Sequence, residues 1–178
     1  MAISLHTTDS RGFADLHMHT KFSDGDLSVD ELIRLSKKKG LRCISITDHD
    51  NLDSYNAALE PAKEVGIEII PGIEISSVYE GRDIHILGYF CDPTNLALNL
   101  ELENFTRQRI TRAKAIIKKL NTLGIDIQYE KVASFCNGKV IGRPHIAKTL
   151  VAEEYISSFA EALHFCNSTL RSINEPLT

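Results

Sequence analysis

The chain has 178 residues, 43% hydrophobic and 25% charged, with a formal net charge of -4. That length and apolar share suit one domain with a sizeable core and exclude a disordered chain. Lys/Arg runs are confined to Lys37-Lys38-Lys39 and Lys118-Lys119, which argues against the basic face of a duplex-DNA binder. A negatively charged substrate stays open, because bound metal ions can supply positive charge locally.

The first residues, MAISLHTTDSRG, form a polar arm over 1–12 without the apolar core of a signal peptide. No run of about 18 apolar residues exists to cross a bilayer. The cysteines at 43, 91, 136 and 166 form no C-x-x-C pair, and Cys43, inside an apolar run, reads as a buried inert thiol. The expectation is a reduced, cytoplasmic protein without a membrane partner. Oligomeric state stays open.

A short strand is predicted over Phe13 to His17, followed by the turn SDGD. SVDELIRLSKKKG reads as a helix: Ser28 and Glu31 have capping-box spacing, Val29, Leu32 and Ile33 make one face, and Gly40 stops it. RCISITDHD is a second apolar, β-branched run that stops at Asp48 and His49. A helix is expected over Leu52 to Val65, broken or kinked by Pro61 and ended by Gly66. IEIIPGIEI forms a third run reaching Glu74, and RDIHILGYF a fourth that can pair with it as a hairpin. A long helix is predicted over Leu96 to Leu123, with Ala113, Ile116, Ile117 and Leu120 buried and Arg112, Lys114 and Lys118 outside. Gly124 closes it, IDIQY suggests a short strand, and GRPHIAKTLV opens another helix. Strands and helices alternating in this way mark βαβ units around a parallel sheet.

His17 and His19, Asp48 and His49, and Glu74 all fall at carboxyl ends of predicted strands, the rim where α/β proteins bind ligands. Buried imidazoles there must be hydrogen-bonded, paired or metallated. Side chains two apart on a strand share a side, so His17 and His19 can converge on one ion if the backbone stays extended through Met18. Imidazole nitrogen with carboxylate oxygen is the ligand set of Zn, Mn and Fe sites. No cysteine joins the clusters, which disfavours a closed structural zinc site and favours open coordination positions. His6 and His164 read as bystanders.

Five segments, DLHMHTKFSDG, ISITDHDNLDSY, IIPGIEIS, DIHILGYF and IGRPHIAKTLV, together resemble the PHP (polymerase and histidinol phosphatase) domain, and most of all its stand-alone phosphoesterases. The resemblance covers about residues 13 to 155, and the domain is assigned to 13–178. It implies a distorted (β/α)7 TIM-like barrel with up to three divalent metal ions, manganese, iron or zinc, at its rim. It implies that His17, His19 and Glu74 hold one metal, that Glu74 bridges to a second held by His85 and His145, and that Asp24 and His49 hold a third. Asp48 then orients an imidazole or a bound water. Arg143 is a candidate for a phosphate oxygen, with a surface ion pair as the alternative.

Two metals about 3.5–4 Å apart can activate water at neutral pH and neutralise phosphoryl oxygens. The chain has neither a G-x-S-x-G elbow nor a P-loop. The general acid stays open among Asp48, a site histidine and a water. The implied substrates are phosphorylated small molecules, nucleotides or RNA ends. The family's barrel continues past G-R-P-H to a further D-x-H motif, and the segment after G-R-P-H contains none, so the barrel is expected to be incomplete. Three readings follow: a metal-dependent phosphoesterase; a non-enzymatic remnant that binds metal or phosphate or needs a partner chain; and, with less support, an amidohydrolase-type C–N hydrolase.

Overall fold

The structure, a computed structural model, describes residues 12–80, 82–136 and 140–174. His6 and most of the N-terminal arm lie outside the described residues. In chain order come β1 (Phe13–Met18), α1 (Val29–Lys38), β2 (Leu41–Ile46), α2 (Asp53–Val65), β3 (Glu68–Ile69), β4 (Gly72–Tyr79) and β5 (Arg82–Tyr89). The helices α3 (Leu96–Thr122), α4 (Tyr129–Ala133), α5 (Arg143–Ala152) and α6 (Phe159–Asn174) follow.

β1, β2 and β3 form a parallel sheet in that order, and β4 and β5 form an antiparallel hairpin. A single parallel bridge between His49 and Glu74 links the two. Among the described residues the strands close no barrel, in line with the incomplete barrel expected. β1 lies at one edge, with Phe13 77% exposed.

The capping box forms as read: Ser28 Oγ accepts from the Glu31 N–H, and Glu31 accepts from the Ser28 N–H at 2.8 Å. Val29, Leu32 and Ile33 then pack with Ile44, Ile46, Ala58 and Ala62. This seats α1 and α2 on one face of the parallel sheet. A second cluster joins α3 to α6 through Ile116, Leu120, Ile146, Leu150 and Cys166. A third, of Leu52, Ile73 and Leu102, ties α3 to the hairpin.

Several local expectations change. Pro61 does not break α2, which runs on with Ala58 and Ala62 packed to either side of it. The run IEIIPGIEI divides at Pro71, which has no N–H for a ladder. β3 therefore stays with β2, while β4 turns away to pair with β5. IDIQY forms no strand: Ile127 is buried in the helical cluster, and its N–H donates to the Asn121 side chain at 3.1 Å. Arg112, expected outside, is half-buried.

Candidate metal centre

β1 ends where the Thr47 N–H donates to the Met18 carbonyl at 2.8 Å. This contact carries β1 to the β2 rim and keeps His17 and His19 on one side. Their Nε2 atoms lie 3.2 Å apart, and each reaches Glu74 Oε2, at 2.8 and 2.9 Å. The same-side argument for H-x-H therefore holds.

The chain next turns tightly, with the Ser23 and Gly25 N–H groups both donating to the Thr20 carbonyl at 3.0 Å. A Cβ on Gly25 would lie 2.4 Å from the His19 carbonyl oxygen, so only glycine fits. Fully buried Asp48 holds this turn from β2's end. Its carboxylate accepts from the Thr20 N–H at 2.7 Å, the Thr20 hydroxyl at 2.6 Å and the Ser23 hydroxyl at 2.5 Å. Asp48 thus grips the loop between His19 and Asp24, whereas the sequence reading had it orienting an imidazole or a water.

Asp24, on that turn, places Oδ1 3.6 Å from His19 Nδ1 and Oδ2 3.5 Å from His49 Nε2. In the β4–β5 register His85 stands opposite Ser76, two residues beyond Glu74. That spacing turns His85 toward the same face, and its Nδ1 lies 2.6 Å from Glu74 Oε1. Glu74 is therefore engaged through both oxygens.

These donors form three overlapping groups: His17, His19 and Glu74; His19, Asp24 and His49; and His49, Glu74 and His85. The electrostatics suit a cation. Burial alone would raise the Glu74 carboxyl, but the His17 hydrogen bond and the imidazoles of His49, His19 and His85 outweigh it and hold it below its ordinary value. Asp24 behaves alike: burial raises its carboxyl, but His49, with His19 and His145, depresses it overall. Burial, reinforced by His49, lowers His19 and keeps a neutral ligand available. His49 Nδ1 is buried without a hydrogen-bond partner, and its nearest carboxylate oxygen, on Glu74, lies 3.9 Å away. A buried polar atom left unpaired is costly. A metal ion is a partner to which its lone pair could donate, so the residues fit the metals that the resemblance implies.

His145 is placed differently. It is buried at the start of α5, and its Nδ1 accepts from the Gly142 N–H at 3.0 Å. None of the three donor groups includes it. One of those groups sets His49, where the resemblance implies His145, beside Glu74 and His85. His164 is exposed on α6.

The profile of the PHP domain matches residues 15–167. The chain belongs to the PHP domain family. It is 38% identical over 148 residues to a 5'-3' exoribonuclease of Haemophilus influenzae, covering 83% of this chain and 54% of that protein. It is 31% identical over 138 residues to a 3',5'-nucleoside bisphosphate phosphatase of Chromobacterium violaceum, covering 77% and 48%. A solved structure of a proposed metal-dependent phosphoesterase from Bifidobacterium adolescentis is similar with a TM-score of 0.80 at 31% identity, over 86% of this chain and 54% of that one. This PHP domain spans about half the length of the curated relatives it matches.

Beside the donor groups lies a cleft of about 970 Å³, whose lining includes Asp24, His49, His85, Arg112 and Arg143 at one side and Ile86 and Phe105 at another. Arg143 pairs there with Asp83 at 2.8 Å, so the ion pair weighed as its alternative forms, on the cleft wall. Burial, with Arg109 and Arg143 nearby, lowers Arg112 below its usual value. Two buried groups beside the site escaped the sequence reading, Asp50 and Arg109, paired at 2.6 Å. The signal for Arg109 was its place on the apolar stripe of α3, in step with Ala113, Ile116 and Leu120. Asp50 simply follows Asp48 and His49 in TDHD.

Proposed function

We propose that this PHP domain is the metal-binding part of a phosphoester hydrolase acting on nucleotide or RNA-end phosphates. The observation that carries the reading is the Glu74 carboxylate, reached at 2.8 and 2.9 Å on one oxygen by His17 and His19 and at 2.6 Å on the other by His85. A carboxylate so placed suits a bridge between two cations. His17, His19, Asp24, His49, Glu74 and His85 would hold the ions, and manganese, iron and zinc all suit this donor set. Bound there, such ions supply a water acidic enough to attack near neutral pH and positive charge for phosphoryl oxygens.

The remaining roles fall to the protein. Asp48 keeps the turn carrying Asp24 against His49. His145, buried at the start of α5, is a further candidate ligand. Arg143 and Arg112 face the cleft with guanidinium groups suited to phosphate oxygens. The names of the two curated relatives, an exoribonuclease and a nucleoside bisphosphate phosphatase, support nucleotide-like substrates. The cysteines, none of them in a disulfide, suit a reduced, cytoplasmic setting, and no described helix is long and apolar enough to cross a membrane.

The test is phosphate release from a nucleoside 3',5'-bisphosphate with manganese or with EDTA, on wild type and Glu74→Gln. Release that needs manganese and Glu74 supports the reading; equal release by both proteins contradicts it. A second reading, metal or phosphate binding with turnover that needs a partner strand, is favoured by the edge position of β1 among the described residues. Tight manganese binding without any release would favour it.

A further inference from the structure

We propose that Arg109 and Asp50 act as one positioning unit that fixes the backbone of Glu74 against the His49 rim. The inference rests on the metal-centre reading and assigns it two residues that touch none of its donor atoms. Asp50 directly follows His49, is 1% exposed, and holds a left-handed backbone with φ of 49°. Non-glycine residues rarely take that conformation, and it persists only where the surroundings enforce it.

What enforces it is a set of contacts on both sides of Glu74. The Asp50 N–H donates to the Glu74 carbonyl at 3.0 Å, and Asp50 Oδ1 accepts from the Ser76 N–H at 2.7 Å. The Glu74 N–H in turn donates to the Asp48 carbonyl at 3.3 Å. β4 is thus pinned at 74 and 76 by a neighbour that has already left its strand. At position 76 a side-chain carboxylate takes the role of a backbone carbonyl. Such a substitute is free to swing unless its other oxygen is held.

Arg109 holds it. From the buried stripe of α3 its Nε donates to Asp50 Oδ2 at 2.6 Å, while Nη2 donates to the Ser76 hydroxyl. One planar guanidinium therefore spans both partners of the Ser76–Asp50 contact, a two-point grip that an ammonium cannot reproduce. An apolar pair of similar volume would fill the space as well, but it would leave the Ser76 N–H unpaired and the Glu74 segment unanchored.

Arg109→Met, Arg109→Lys and Asp50→Asn test this, each read in two ways. Amide hydrogen exchange at Ser76 in metal-free protein reports the brace itself. Manganese titration by calorimetry reports its consequence for the site. Arg109→Met should lose at least about tenfold in Ser76 protection and roughly 10–100-fold in manganese affinity, the range typical of outer supports of metal ligands. Arg109→Lys, with charge but no two-point grip, should fall between Met and wild type. If Arg109→Met fails to fold, Arg109→Lys and Asp50→Asn, which keep most of the volume, carry both measurements. Wild-type protection at Ser76 in folded variants, or undiminished manganese affinity, overturns the proposal. If wild type itself binds no manganese, the functional reading fails, while the exchange comparison still decides whether Arg109 holds β4.

Discussion

Between helices α3 and α6, most of the buried residues are apolar, among them Ile116, Leu120, Ile146 and Leu150. At the strand rim, burial falls instead on Thr20, Ser23, Asp48, His49, Asp50, Glu74 and Arg109. The helical region is held by contacts that are individually weak and interchangeable, so its sequence can vary if volume is kept. The rim is held by named donors and acceptors, each of which leaves an unpaired buried partner when removed. The contrast teaches that the helical packing and the polar rim are held by different means, so the helical packing can be perturbed without touching the rim.

The largest effect should come at the centre of the rim. Glu74→Gln should abolish measurable phosphate release and lower manganese affinity beyond the roughly 10–100-fold expected from loss of an outer support. His85→Ala, which removes one contact to a single Glu74 oxygen, should cost less. Equal losses in the two variants, measured by calorimetry and phosphate release, would deny Glu74 its bridging place.

The helical region should respond the other way. Leu120→Ala empties a fully buried position and should lower unfolding free energy by about 2–5 kcal/mol, read from urea denaturation. Manganese affinity of the folded fraction should not change; a parallel loss would show that the two regions are coupled. Asp48→Ala should do both things moderately. It strands the Thr20 and Ser23 donors, at about 1–3 kcal/mol, and should weaken manganese binding through the loosened Asp24 turn. Smallest is Ser28→Ala at the α1 cap, about 1 kcal/mol with manganese affinity intact.

The same contrast explains what could be read from sequence. Caps, stripes and strand ends are local patterns, so the Ser28–Glu31 box, the α3 stripe and the clustering of His17, His49 and Glu74 at strand ends were legible. Partners across the chain were not. Nothing near Asp48 says that its carboxylate will take Thr20 and Ser23, and nothing near Asp50 points to an arginine on α3. The split of β3 from β4 depended on which neighbour each half could find, and IDIQY found an apolar pocket among helices in place of a strand. His145 shares a motif with Arg143, yet its ring accepts from Gly142 and lies outside the donor groups.

The most direct test of the central claim, that the rim residues form a multi-metal centre, is anomalous diffraction from crystals grown with manganese. The account predicts strong peaks on both sides of the Glu74 carboxylate, one facing His17 and His19 and one facing His49 and His85. A map with no peak at Glu74, or with manganese bound only elsewhere, would contradict it.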